Sequence, residues 1–490
     1  MHPSMRRLAV IILCLGVLFA QAPCRAEPAV TEPDYDAVEG YIAAAMDRHN
    51  IPGVALAYAR GGRILYSNGF GTAGRGRPVT ADTPFYIGSQ TKSFTALAIM
   101  QLVEQGQLAL DAPVQTYLPW FRVADEDASR SITVRHLLQH SSGLSDSGYT
   151  SRLSPDATLE AAVRDLSRAR LTAPVGTRMQ YFNAGYSTLG LLIETASGQA
   201  YGDYIREHIT APLQMANTFT DLPEAEAAGL AQGYSQVFPF AVPRHQPFYR
   251  SDLPAGYIMS SANDVARFLQ ALANDGELDG ARVLTPESVA LLFTPNSAID
   301  STYCFGWYIG KYGDETRITH GGETERFHTA VLLLPESGQS LVFLVNANHL
   351  LKDLGEYNTL FWTVAGMLTG HPLPAEGRSS IVYGWGLLAL WLVIVVMAGR
   401  KVARLPQWRA QMQTWSGRQR AVDIAKHLLW IALSVAAVFA VSLVLLGRGF
   451  AWRWFVGFLP DVAIIVATLV LDDAIQIVLK LAAMARTARG

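Results

Sequence analysis

Residues 86–96 read YIGSQTKSFTA and hold a serine and a lysine three positions apart, Ser89 and Lys92. On a helix, side chains at i and i+3 share one face, so these two groups are placed to exchange a proton. The choice of lysine is itself informative. The chain has six lysines among its 39 basic residues, and Lys92 is the only one before Lys311. A guanidinium stays protonated, whereas a crowded or buried lysine amine can lose its proton, so a site that needs a neutral amine must use lysine. Ser-x-x-Lys is a common pattern, but no other lysine here has a serine three positions earlier. Ser89 also opens the apolar run of TPFYIGSQTKSFTALAIMQLVEQG, so its hydroxyl is expected at the positive end of a helix dipole, which favours an alkoxide-like nucleophile.

Activating such a serine takes a second polar element, commonly a tyrosine hydroxyl with a nearby amide. Two Tyr-x-Asn triplets compete, Tyr66-Ser67-Asn68 and Tyr181-Phe182-Asn183. The first runs into an Asn-Gly turn signal and reads as a structural hairpin end. The second lies in a segment that leads into a helix, NAGYSTLGLLIETASG, and loops held by a scaffold are where catalytic groups concentrate. Tyr181 is therefore the preferred partner. A third element is His320-Gly321-Gly322 in RITHGGETERFHTAVLLLP, whose glycines let a substrate backbone approach an edge-like strand. The alternative for that element is a plain Gly-Gly turn beside a surface histidine.

These groups need a scaffold. GVALAYARGGRILYSNGFG gives two apolar runs about a Gly-Gly turn, a hairpin signal. Helical patterns follow at 93–105, near 157–170, at 184–197 and at 262–274, the last capped by Ser261 or Asn263. Strand-like stretches return late, in CFGWYIGKY, HTAVLLLPES and QSLVFLVNAN. One sheet completed by both chain ends, with a helical region inserted between them, is the expected architecture.

Taken in this order, Ser89-Gln-Thr-Lys92, Tyr181-Phe-Asn183 and His320-Gly-Gly322 resemble the motifs of the serine β-lactamase-like and penicillin-binding-protein superfamily, in its class C and related serine-hydrolase branch. LLQHSSGLSD, APLQMANT and PAGYIMSSANDVARFLQAL extend the likeness over about residues 35–350. The resemblance implies an α/β fold, an antiparallel sheet flanked by helices with an all-helical insertion. It implies Ser89 as the acylated nucleophile, Lys92 and Tyr181 as the groups that share the proton transfers, and Asn183 as a contact to a substrate amide. His320 stands where many members carry lysine, Gly321 and Gly322 follow it, and the oxyanion hole falls to the N–H groups of Ser89 and Glu323. The chain departs from the pattern in lacking Lys-Thr-Gly and in carrying Arg326-Phe327 where a Gly-Phe pair is common. Arg326 is then either a solvent-facing residue or a recogniser of a substrate carboxylate. No metal and no cofactor is implied.

Composition sets the surroundings. A formal net charge of −2 gives no nucleic-acid footprint. Arg6 and Arg7 precede an apolar run from Leu8 to Ala20, which reads as an export signal over residues 1–26 with cleavage after Ala26. Cys24 raises a lipoprotein reading, for which Gln21-Ala22-Pro23 is a poor lead-in. Cys304 is then the only cysteine of the mature chain, so stability outside the cytoplasm rests on the core of a domain over 27–375. Residues 376–490 read as a membrane domain, with spans at 381–399, 427–446 and about 457–479. The residues from Arg400 to Lys426 read as a strongly basic loop expected in the cytoplasm, which puts the catalytic domain on the extracytoplasmic, periplasmic side of a multi-pass protein. Asp472 and Asp473 admit a transporter reading, against which the nearby Lys480 suggests a helix end at the cytoplasmic surface.

The leading expectation is a membrane-anchored serine hydrolase acting on amide or ester bonds, with D-amino-acid peptides favoured and the lipid bilayer as its other partner. A prodrug-maturing peptidase of the kind found in nonribosomal peptide pathways resembles the same arrangement. A β-lactamase and a non-catalytic penicillin-binding receptor are the further alternatives. Nothing in the residues fixes an oligomeric state.

Overall fold

The computed structural model describes residues 32–151, 153–373, 381–446 and 452–487. The export signal and the cysteines Cys14 and Cys24 lie outside the described residues, as does the 374–380 junction. The principal elements before the last quarter of the chain are α1 (Tyr35–His49), β1 (Gly53–Arg60), β2 (Arg63–Gly74), β3 (Arg77–Pro78), α2 (Thr91–Glu104), α3 (Asn183–Ser197), β4 (Tyr234–Val237), β5 (Phe240–Pro243), α4 (Ala262–Ala273), β6 (Tyr308–Tyr312), β7 (Glu315–Glu323), β8 (His328–Leu334), β9 (Gln339–Val345) and α5 (Asn358–Thr369).

Seven strands form an antiparallel sheet in the order β6-β7-β8-β9-β1-β2-β3. The two chain ends meet at its centre, where Val54 pairs with Val345 and Ala57 with Val342. The period-2 alternation of a strand then sorts the side chains onto two faces. Val54, Leu56, Tyr58, Leu341, Phe343 and Val345 pack under α1 and α5. Ala55, Ala57, Val342 and Leu344 join the larger core with α2, α4 and the helical region. Both faces are covered, so the central strands read as nearly unbroken apolar runs. Helix α2 is buried on every side from Thr91 to Leu102 and forms the pillar between sheet and helical insertion. Helix α4 opens on Ser261, whose side chain accepts from the Asp264 N–H, so of the two candidate caps Ser261 holds the end.

Three C-terminal helices are long and apolar enough to cross a membrane, over Tyr383–Ala403, Gly417–Ala440 and Pro460–Ala485. They belong to α6 (Ile381–Ala403), α8 (Gly417–Leu446) and α10 (Pro460–Thr487), with α7 (Leu405–Gln413) between the first two and α9 (Trp452–Phe458) before the last. The basic stretch expected as a loop is largely helical. Arg409 lies in α7, and Arg418, Arg420 and Lys426 lie in the first turns of α8. Asp472 and Asp473 are paired across helices, to Lys401 at 2.6 Å and to His427 at 2.6 Å, while Lys480 is bound to Asp423 at 2.7 Å.

These helices dock on the sheet domain. Phe238, in the turn between β4 and β5, lies against Trp391 with ring centroids 5.7 Å apart. A Cβ on Gly384 would sit 3.0 Å from the Phe238 carbonyl, so a glycine lets α6 approach that turn. His349 Nε2 meets Asp461 Oδ1 at 3.1 Å, with both side chains almost fully enclosed. Leu350 and Leu351 pack on Phe455 and Leu459.

Candidate active site

Ser89 lies in a single 3₁₀ turn, Gly88–Gln90, that leads directly into α2. Ser89 is half-buried, whereas Pro84 to Gly88 before it are buried, so the hydroxyl is the accessible point of an otherwise closed segment. Gly88 has φ +54, and a Cβ there would lie 2.5 Å from the Glu323 nitrogen. Reciprocally, a Cβ on Gly322 would lie 1.9 Å from the Ile87 carbonyl oxygen. Both positions require glycine, and together they bring the backbone before Ser89 against the end of β7. This is the juxtaposition that an oxyanion hole from the Ser89 and Glu323 N–H groups needs. The sequence reading assigned both glycines to the approach of substrate. Gly322 instead serves the approach of the protein's own turn, while Gly321 is exposed and a Cβ there would make only an ordinary contact, 3.7 Å from the Thr329 oxygen.

Lys92, the second residue of α2, has no exposed surface. Its Nζ lies 3.1 Å from Ser89 Oγ, 2.8 Å from Asn183 Oδ1 and 2.5 Å from the Ala255 carbonyl oxygen. Asn183 is the first residue of α3, so the amide is carried on a rigid helix start. Tyr181 lies two residues before that helix, and its ring centroid is 4.7 Å from Lys92 Nζ. Ser89, Lys92, Tyr181 and Asn183 therefore converge on one ammonium position from two separate parts of the chain. The competing triplet is structural, as expected, but it is not a hairpin end: Asn68 and Gly69 pair with Leu56 and Ala55 inside β2, and Tyr66 and Asn68 both bond Glu39 of α1, at 2.7 Å and 3.0 Å.

His320 is buried on β7, and the strand alternation turns Gly321 outward. Its Nδ1 is 2.5 Å from the Gly321 carbonyl, which can only accept, so the proton sits on Nδ1. Nε2 then accepts from the Tyr303 hydroxyl at 3.3 Å. Burial first, and the Lys92 charge second, push its pKa down to about 3, so the imidazole is neutral at physiological pH. The ladder with β6 ends at Thr319, leaving His320–Glu323 as an edge on that side of the sheet. An extended chain can add to such an edge.

Arg326 takes neither of its expected roles. It is buried, and Nη1 donates to the Glu325 carbonyl at 2.7 Å and to the Gly457 carbonyl of α9 at 3.3 Å. It is a docking residue for the C-terminal helices. The Glu323 side chain is likewise structural, binding His328 Nδ1 at 2.7 Å and Asn348 Nδ2 at 2.7 Å.

Two groups at the site carry no motif that singles them out. His140, with φ +53, lies against Tyr181 at a centroid distance of 4.3 Å with the rings tilted by 38°, and its Nδ1 accepts from the Phe182 N–H at 3.2 Å. Burial, then the charge of Lys92, holds it neutral as well. Tyr303 closes the cage, 4.7 Å from His140 and 6.1 Å from Tyr181. The only sequence trace of His140 was the stretch LLQHSSGLSD, and for Tyr303 there was none.

The beta-lactamase family model matches residues 38–361. Penicillin-binding protein 4 of Amycolatopsis lactamdurans is 30% identical over 338 residues, which cover 66% of this chain and 88% of that protein. Protein flp of Staphylococcus aureus (strain MW2) is 28% identical over 320 residues, and the chain spans 61% of that protein's length. Among solved structures, the octameric penicillin-binding protein homologue from Pyrococcus abyssi superposes with a TM-score of 0.61 at 28% identity, covering 71% of this chain and 80% of that one. A class C beta lactamase from Rhodobacter sphaeroides, at 22% identity and a TM-score of 0.55 over 64% of this chain and 95% of that one, shares the fold. The chain thus belongs to the beta-lactamase family of penicillin-binding-protein-like serine hydrolases.

Proposed function

We propose that this protein is a membrane-anchored serine hydrolase that cleaves amide or ester bonds, with D-amino-acid peptides as the favoured substrates. The observation that carries the reading is the enclosed Lys92 amine 3.1 Å from the half-buried Ser89 hydroxyl. Ser89 Oγ attacks the acyl carbon while its proton passes to Lys92 and Tyr181. The carbonyl oxygen becomes an oxyanion facing the N–H groups of Ser89 and Glu323, and the collapsing intermediate expels an amine or alcohol that takes the proton back. Water then attacks the Ser89 ester with the same groups as base, releasing the acid. Asn183 and the β7 edge orient the acyl side, and a peptide lies along His320–Glu323 as an added strand. A neutral His320 supplies no fixed cation there, so a β-lactam carboxylate is held weakly.

The three apolar helices anchor the catalytic part outside the cytoplasm, with 400–426 inside. They also favour a second reading, a prodrug-maturing peptidase of a nonribosomal peptide pathway. Fluorophosphonate labelling followed by intact mass should give one adduct on Ser89. Labelling that persists in Ser89→Ala would sink the assignment. Reporter fusions after Gly370 should be active outside and those near Gln411 inside, and the reverse pattern would overturn the topology.

A further inference from the structure

A cavity of about 580 Å³ opens on the sheet domain apart from the catalytic groups, since Ser89, Lys92, Tyr181, Asn183 and His320 do not line it. Its wall carries three guanidiniums, Arg75, Arg77 and Arg244, against one carboxylate, Glu226. Arg77 is pinned there, donating to the Gly229 carbonyl at 2.9 Å and the Leu230 carbonyl at 3.0 Å, and two bonds leave further N–H donors on the same fork. Arg75 and Arg244 have no ion pair among the described residues. Arg75 sits at the tip of the β2–β3 turn with φ +53, next to Gly76 with φ +74. Such a tip normally takes Asn-Gly, and an arginine held there accepts backbone strain that the fold does not require.

Two buried polar atoms point the same way. Among the described residues the Tyr86 hydroxyl, on a residue 1% exposed, has no hydrogen-bond partner, and neither does Gln246 Oε1, on a residue 4% exposed. Gln246 Nε2 donates to Glu325 Oε2 at 2.7 Å and to the Pro247 carbonyl at 3.0 Å, which fixes the unpartnered atom as the oxygen. The wall therefore offers three cations against one carboxylate, with a phenol and an amide just beneath it that still lack partners. Guanidinium forks match the oxygens of a phosphate. We propose that this cavity binds a phosphate ester of the glycerol-phosphate kind.

Such a group exists free and as a lipid headgroup. The cavity wall at Gly233 backs onto Arg326, which binds Gly457 of the helix beside the apolar bundle. Titration calorimetry on the full chain in detergent, with sn-glycerol 3-phosphate and with dihexanoyl phosphatidylglycerol, separates the two sources. Saturable binding of either probe is expected, and the tighter one identifies the source. Arg244→Gln should weaken it at least about tenfold through loss of a charge-assisted contact. Glu226→Gln should strengthen it. Arg75→Gly should weaken binding while raising the thermal midpoint, a split that a purely structural arginine cannot give. No saturable heat with either probe, or affinity unchanged in Arg244→Gln, overturns the site.

Discussion

Replacing Lys92 by arginine keeps the positive charge but removes the amine that can become neutral. Three oxygens surround the wild-type nitrogen, at 3.1, 2.8 and 2.5 Å, and the side chain has no exposed surface. A guanidinium adds two heavy atoms to that enclosure, an overpacking cost of about 1–3 kcal/mol in stability. Its larger effect should be on rate. Loss of a positioned base costs roughly 10²–10⁴-fold, or about 2.7–5.4 kcal/mol of barrier. Lys92→Met separates the two effects, because it is smaller than lysine yet also lacks the amine. It leaves Asn183 Oδ1 and the Ala255 carbonyl without that donor, which costs about 1–3 kcal/mol of stability. Time courses of Ser89 acylation by a fluorophosphonate, read by intact mass beside thermal midpoints, give rate and stability for each variant. Both variants should acylate at least about a hundredfold more slowly while remaining folded at the assay temperature. Wild-type acylation by the arginine variant would mean that Lys92 supplies charge alone. A loss confined to arginine would mean that packing, not proton transfer, explains it.

Acid should destabilise the protein through His320. Its folded pKa of about 3 lies below the unfolded 6.5, so the unfolded state takes up more protons as pH falls from 6.5 towards 3, and stability drops. Between pH 7 and 5 this amounts to about 2 kcal/mol, and His320→Gln should lose correspondingly less thermal stability over that interval. Asp264, with a pKa raised to about 6 by burial, works with the opposite sign in both proteins, so only the difference between them is diagnostic. Asp461→Ala leaves His349 enclosed without its carboxylate, next to the Asn348 that holds Glu323. It should lower kcat on an ester substrate about tenfold or more through a displaced oxyanion donor, with Asp461→Glu recovering part of the loss; full activity in the alanine variant would detach the helices from the site. Finally, kcat/KM for the best D-aminoacyl peptide or ester should exceed that for a cephalosporin, and the reverse order would make the protein a tethered β-lactamase.

Ser89 and Lys92 were legible because the helix repeat alone places i and i+3 together, whatever the rest of the chain does. The sheet was legible for a similar reason, since β1, β8 and β9 each carry an apolar run bounded by turns. What escaped notice depends on contacts between distant segments. His140 acts through a left-handed turn that lays its ring on Tyr181, forty-one positions later. The Ala255 carbonyl bonds Lys92 with a backbone atom that no side-chain pattern marks. Arg326 was misjudged because nothing near it in sequence shows that Gly457 of α9 comes to lie against it. The basic residues from Arg400 to Lys426 read as a loop because they lie between two apolar runs, although Gly417–Lys426 contains no proline to stop the helix that continues through it.

Under the proposed function, the docking of the C-terminal helices bears on how the Ser89 site meets a substrate. An anchor joined by a slack tether lets a catalytic domain sweep a volume, with an effective concentration set by tether length. Here Phe238 on Trp391, Arg326 on Gly457 and the enclosed His349–Asp461 pair clasp the domain directly to the bundle. In a bilayer the Ser89 cleft would be carried at one height and one tilt, like a fixed tool over a moving surface. Bonds at that depth would be cut as they drift past in the plane, and identical bonds farther out would be spared whatever their chemistry.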